Sequence, residues 1–321
     1  MKRFKIIGLC LVAVFALTAV MASVAQAGQF GFCVKAEKHS VEYELNGKKK
    51  TKSVYKGKFS DKGCSTPAPE PGTYGPEPEG KYEWAPNTKV VPFTSEGGAA
   101  SLKGGPGELT SPRNVDTGKI LNATENEDQV TFYEVKLNGA LPCYNAEEEV
   151  TVGKGKTEKK EKIKVLKTNK LKSKLIDHGE KGPSGEEPKP GEVWMELEAA
   201  EETIGSFGEK GFYQASFACY LGETAIPFDV TGTLSGVIPA EFVEAKLKAG
   251  KPAKAGKPLT SKATFNIDFG AGKGEQDLKT KLFNPESMMI ETVASTQTAT
   301  DGIIIEKANL EKGFSISDLG L

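Results

Sequence analysis

Tyr213, Ala215, Phe217, Cys219 and Leu221 alternate with Gln214, Ser216, Ala218 and Tyr220, and this rhythm recurs along the chain. Phe265, Ile267 and Phe269 alternate with Asn266 and Asp268. Tyr133, Val135 and Leu137 alternate with Phe132, Glu134 and Lys136, and Val41, Tyr43 and Leu45 with Glu42 and Glu44. A period of two places every second side chain on one face of an extended backbone, so each run reads as a half-buried strand. Asn46-Gly47, Pro71-Gly72, Gly104-Gly105, Asn138-Gly139 and Asp301-Gly302 punctuate the runs as turns. Helical patterning is scarce. Its best stretch is Pro239 to Ala249, where Phe242, Val243 and Leu247 would form one short face. Many short strands between frequent turns predict an all-β fold, an antiparallel β-sandwich or barrel with long polar loops.

The N-terminus bears on where such a fold is built. Lys2, Arg3 and Lys5 precede an almost wholly apolar run from Ile6 to Val24, and Ala25-Gln26-Ala27 follows as small-x-small. That is the pattern of a secretory signal helix cleaved between Ala27 and Gly28. An uncleaved anchor is the competing reading, since the run approaches the ~20 residues that span a bilayer. The cleavage motif and the polar residues behind it favour removal, which leaves no membrane span. Cys10 is rejected as a lipid anchor because Leu9 occupies the position that should be small. Four cysteines then remain: Cys33, Cys64, Cys143 and Cys219. An even number in an exported chain reads as two disulfides. Three connectivities exist, and nearness favours Cys33–Cys64 with Cys143–Cys219. Each bridge would contribute roughly 3–4 kcal/mol by restricting the unfolded chain. The expected location is secreted, extracellular or at the cell surface. The expected division is a signal at 1–27, an N-terminal β segment at 28–95 clasped by Cys33–Cys64, and a main antiparallel domain at 96–321, packed as one unit or two.

Charge excludes one class of partner. Loss of Lys2, Arg3 and Lys5 takes 42 basic and 43 acidic residues to 39 and 43, so nothing draws the whole chain to nucleic acid. Locally, residues 154–174 hold ten lysines against two glutamates, flanked by Glu147, Glu148 and Glu149 and by Glu186, Glu187 and Glu192. Lys159, Lys160, Lys162 and Lys164 are therefore a candidate patch for an anionic polymer, such as an acidic polysaccharide or a phosphate-bearing wall polymer. The weightier reading is a solvated strand pair whose lysines guard a sheet edge. Arg113 is the single arginine after cleavage, and arginine's planar fork is the preferred grip on phosphate. Residues 65–80, with five prolines and three glycines, read as a stiff extended connection, and residues 249–258 as a solvated loop.

Catalytic constellations are not found. His39 and His178, the only histidines, sit in polar or turn-like segments with no second ligand at metal spacing. No Gly-x-Ser-x-Gly elbow occurs. "GKGKT" from Gly153 has Val150 where a phosphate loop needs glycine. "GAGKGEQ", Gly270 to Gln276, reads as a hairpin turn. "ENEDQ", with Glu125, Glu127 and Asp128, lacks the spacing and glycine of a calcium loop. Asn122 to Thr124 matches a glycosylation acceptor. No catalytic residue, metal site or cofactor is expected. Glycosidases need two carboxylates, but 43 acids single out no pair. Trp84 and Trp194, with Tyr82 and Tyr213, are candidates to stack on sugar rings, although burial in a β core is the commoner role of such residues.

"GFC" at Gly31–Cys33, Cys64, "GKYEW" at Gly80–Trp84 and "FTSEGGAASL" at Phe93–Leu102 resemble the opening of a large group of uncharacterised secreted proteins of soil actinobacteria. "TNKLKSKLI" from Thr168, "FACYLG" from Phe217 and "VTGTLSGVIPA" from Val230 fit as well, so the resemblance spans most of the chain after the signal. It implies export and a β-rich fold and carries no activity. The Lys-rich insert and the few central cysteines depart from it. The expected function is non-enzymatic, a binding or structural role outside the cell. The alternative is a carbohydrate-active or carbohydrate-binding protein, and the candidate partner is a cell-wall or extracellular polysaccharide.

Overall fold

In a computed structural model, the structure describes residues 26–61, 64, 66–69, 72–75, 77–105, 107–152, 158–176, 192–239, 262–268, 276–284, 287–306 and 314–319. The expected signal helix, His178 and the helical face expected over 239–249 lie wholly or almost wholly outside these. All helix and strand among the described residues is β-strand. The first part holds β1 (Gln26–Lys35), β2 (Lys38–Leu45), β3 (Lys48–Tyr55) and β4 (Tyr82–Pro86). Then come β5 (Val91–Gly97), β6 (Ala100–Gly104), β7 (Gly107–Ser111), β8 (Arg113–Ile120), β9 (Glu125–Tyr133), β10 (Lys136–Leu137), β11 (Leu141–Tyr144), β12 (Ala146–Val152), β13 (Lys159–Lys167) and β14 (Leu171–Ile176). The rest are β15 (Glu192–Ala199), β16 (Thr203–Ile204), β17 (Lys210–Gly211), β18 (Tyr213–Leu221), β19 (Thr224–Thr231), β20 (Leu234–Pro239), β21 (Lys262–Asp268), β22 (Leu278–Asn284), β23 (Met289–Thr298), β24 (Thr300–Glu306) and β25 (Phe314–Leu319).

The barrel alternative is the one realised. One closed antiparallel barrel runs β10-β11-β18-β19-β22-β23-β6-β7. A second ring runs β9-β14-β15-β20-β21-β24-β5-β8 and closes because β8 also pairs with β9, while β13 and β12 branch from β9. Closure removes exposed strand edges. The chain alternates between the two: β5 leads to β6, β7 to β8, β9 to β10, β19 to β20 and β23 to β24, each over a few residues. The expected single strand over 133–137 is broken for this reason. Glu134 adopts a left-handed backbone (φ 51), β9 stops at Tyr133, and the chain leaves the ring for the barrel. Asn46-Gly47 (φ 54 and 70) and Asn138-Gly139 (φ 52 and 71) turn as expected, with the paired positive φ angles of tight hairpins. Asp301-Gly302 does not turn. It lies inside β24, where Gly302 pairs with Asn266 and Glu96. The hairpin expected at Gly270–Gln276 lies almost wholly outside the described residues; β21 before it belongs to the ring and β22 after it to the barrel.

One large core spans both. It joins Phe30 and Phe32 of β1 to Val91 and Phe93 of β5, Leu175 and Met195 of the ring, and Phe217, Phe228 and Leu282 of the barrel. The division expected at residue 95 falls within β5. The Phe30 amide donates to the Ala123 carbonyl, and the Asn87 amide donates to the Phe30 carbonyl. Both disulfides pair as nearness suggests, Cys33–Cys64 and Cys143–Cys219. Cys33, Cys64 and Phe59 form a satellite core against which Tyr82 and Trp84 pack. Among the described residues, no helix is long and apolar enough to cross a membrane.

Candidate functional site

Among the described residues, the Lys-rich insert supplies β13, which pairs with β12, and most of β14, and part of its charge is answered by glutamates of β12. Register sets Glu147 opposite Lys164 and Glu149 opposite Lys162 on one face. Lys160 pairs with Glu149 at 2.5 Å and Lys167 with Glu148 at 2.7 Å. The hydrogen bond from Lys167 is the first reason the Glu148 carboxyl lies below its usual range. Lys164 donates to the Tyr144 hydroxyl at 2.7 Å, and Tyr144 stacks on Tyr220 with centroids 4.2 Å apart. Lys159 stands opposite Val152. The outermost strand of this branch is β12, which carries Glu147, Glu148 and Glu149 and no lysine.

The tryptophan candidates separate. Trp194 is 6% exposed and packed with Ile176 and Val237 across three adjacent strands, so it offers no platform to a sugar. Trp84 is half-buried against the Cys33–Cys64 cluster. Tyr213 is buried and Tyr82 half-buried. Where the barrel meets the ring, Leu102, Leu109, Phe132, Val135, Leu166 and Phe217 help to line a cavity of about 70 Å³. At ~10–15 Å³ per water position it has room for roughly five waters, too little for a sugar ring. A neighbouring surface cleft of about 400 Å³ contains one carboxylate, Glu134, and one ammonium, Lys136, among its lining residues.

A different basic surface stands out. The β2–β3 hairpin pairs with no other strand. Its register puts His39, Val41, Tyr43 and Leu45 on one face with Lys48, Lys50, Lys52 and Val54. The three lysines are exposed and make no ion pair among the described residues. Alternate strand residues lie about 6.8 Å apart, so the ammonium groups form a regular row. Lys52 donates to the Tyr74 hydroxyl at 2.5 Å, which is the first reason its pKa is raised, and lies 4.2 Å over that ring. Tyr43 meets Tyr74 edge-on at 4.9 Å. On the other face, Lys35 and Lys38 stand 5.3 and 5.0 Å over the Tyr55 ring. The Tyr55 phenol is held below its usual value first by its hydrogen bond with Lys35, with Lys38 and Lys81 adding charge. The Val41–Leu45 alternation and the Asn46-Gly47 turn announce this ribbon in the sequence, and the signal for its charge is the lysine row of "NGKKKTK" that follows. No family model, curated protein or solved structure matches the chain.

Proposed function

We propose that the protein is exported and acts without catalysis, binding an acidic extracellular polysaccharide through the β2–β3 ribbon. The observation that carries this reading is the exposed row Lys48, Lys50 and Lys52, without an ion pair among the described residues, beside Tyr43 and Tyr74. A two-stranded hairpin standing alone is marginal in water. This one carries few core side chains, Val54 being its one buried residue. Two closed disulfides suit an oxidising, extracellular compartment. Lysine gives point charge without a bidentate fork, which suits tracking a line of anionic groups without fixing their geometry.

Retention on immobilised polygalacturonate tests the proposal. Binding should weaken steeply as salt rises, because each paired ammonium releases a counterion. Replacing Lys48, Lys50 and Lys52 together by Gln should reduce affinity about tenfold or more and flatten the salt dependence by up to about three counterions. Lys159→Gln, Lys160→Gln and Lys162→Gln together should leave it within about twofold, exposed substitutions of this kind scarcely affecting the fold. Salt-independent retention, or loss only in the second variant, would contradict the assignment.

A further inference from the structure

We propose that the β2–β3 ribbon carries a second anion site on its other face, formed by Lys35, Lys38 and Lys81 around Tyr55, so that one molecule holds two chains of acidic polysaccharide and bridges them, an extension that rests on the polysaccharide reading of Lys48, Lys50 and Lys52. Register separates the two surfaces. Lys48, Lys50 and Lys52 share a face with Tyr43, while Lys38 stands opposite Tyr55 on the alternate parity. Successive strand residues point to opposite faces, so a polymer lying along the row leaves the second surface open to another chain. Lys35 closes β1 and pairs with Tyr82, and Lys81 immediately precedes that tyrosine. All three lysines are exposed and Tyr55 is half-buried.

Charge at this end of the ribbon is predominantly of one sign. The hydrogen bond with Lys35 comes first among the influences that lower the Tyr55 phenol, and the charges that add to it are all lysines. Among the described residues none of the three makes an ion pair, and Glu77 is held instead by Lys56 at 2.6 Å. Glu37, between Lys35 and Lys38 in the chain, offsets one charge of the three. Glu42 and Glu44 share this face of the ribbon, but they lie toward the turn, opposite Thr51 and Lys49. The four residues from Lys38 to Glu42 span about 14 Å of strand, beyond the ~8 Å over which exposed charges act at physiological salt. The site is also firmly mounted. The Ala36 amide donates to the Lys81 carbonyl at 3.0 Å, and the Lys56 amide to the Glu37 carbonyl at 3.4 Å. Cys33, two residues before Lys35, is bridged to Cys64. An ammonium already ordered over a ring loses less freedom on meeting an anion. The cluster therefore suits one carboxylate of a chain gripped at a point, whereas the row tracks several in line.

The full chain tests this by calorimetric titration with a short oligogalacturonide and by light scattering from long polygalacturonate. Two oligomers should bind per chain at low salt, and added protein should raise the scattering as polymer chains are joined. Lys35→Gln, Lys38→Gln and Lys81→Gln together should leave one oligomer per chain and remove the rise in scattering, with Tm within about 2 °C of wild type. Lys38→Glu alone, a single exposed reversal, should weaken the second oligomer about tenfold. Lys48→Gln, Lys50→Gln and Lys52→Gln together should also remove the scattering, yet leave the other oligomer bound. A single oligomer per wild-type chain, lost with the Lys48, Lys50 and Lys52 set, would overturn the second site and leave the polysaccharide reading standing. No oligomer bound would overturn both. Scattering unchanged by the Lys35, Lys38 and Lys81 set would refute the bridge.

Discussion

Replacing Cys143 and Cys219 together by Ala should lower the unfolding free energy by about 4.5 kcal/mol, the loop-entropy value for a bridge of this span. The two half-cystines are 76 residues apart in sequence. Their location adds to the effect. β11 has four residues and meets β18 through only two register pairs, Cys143 with Cys219 and Tyr144 with Ala218. The seam that closes the barrel is therefore short, and the disulfide lies on it. Without the bridge, β10 and β11 become the place where the barrel opens first. Denaturant unfolding of the double variant, beside wild type with and without reductant, measures the loss. Hydrogen exchange at Tyr144 and Ala218 should rise earlier than at Leu175 in the ring. A loss below about 1 kcal/mol would show that β11 is held by other contacts, since a native disulfide in a secreted domain typically contributes 2–5.

Phe30→Ala should cost about 3–5 kcal/mol, the range for emptying a buried aromatic site. Phe30 lies three residues after the expected cleavage point, where a chain end ordinarily frays and a substitution has little effect. Here it is 1% exposed and belongs to the common core with Val193 and Leu175. Gly28 closes against Val193 so tightly that a β-carbon there would meet its methyl at 2.5 Å. The start of β1 is thus part of the ring's packing. The variant should unfold in one cooperative transition at lower denaturant. A loss under about 1 kcal/mol, or a separate early transition, would mean that the N-terminal sheet is an independent unit.

What the sequence revealed follows from what a period of two encodes. Tyr213–Leu221 is legible as β18 because one face meets the core, and the burial alternates with it. Val41–Leu45 has the same rhythm, yet Leu45 is 45% exposed, since alternation describes an amphipathic ribbon whether or not anything covers it. Sandwich and barrel share that period. The choice is made by pairings such as Thr94 with Ile304, some two hundred residues apart, which no local pattern records. Part of the ring's burial was hidden for the opposite reason. Asn114, Asp116 and Asp128 are buried, yet they read as the solvent side of their strands, because polarity is the usual mark of the outward face. The lysine insert was conspicuous by count, but its meaning lay in the glutamates that register sets across from it.

The pairing of β1 with β25 sets an order on how the molecule comes together. Phe32 sits beside Phe314, and Gln29 beside Ser317. The Cys33–Cys64 loop needs only nearby chain and can close early. The second neighbour of β1 is delivered almost three hundred residues later. Until then one edge of β1 stays open, in a chain whose sheets rest on distant partners and so assemble slowly. That interval is when a half-zipped β1 is free to recruit another molecule's strand. A chain ending before Phe314 would make the interval permanent. Such truncations should yield soluble, disulfide-bonded oligomers joined edge to edge, and adding back a peptide of residues 314–319 should compete them apart.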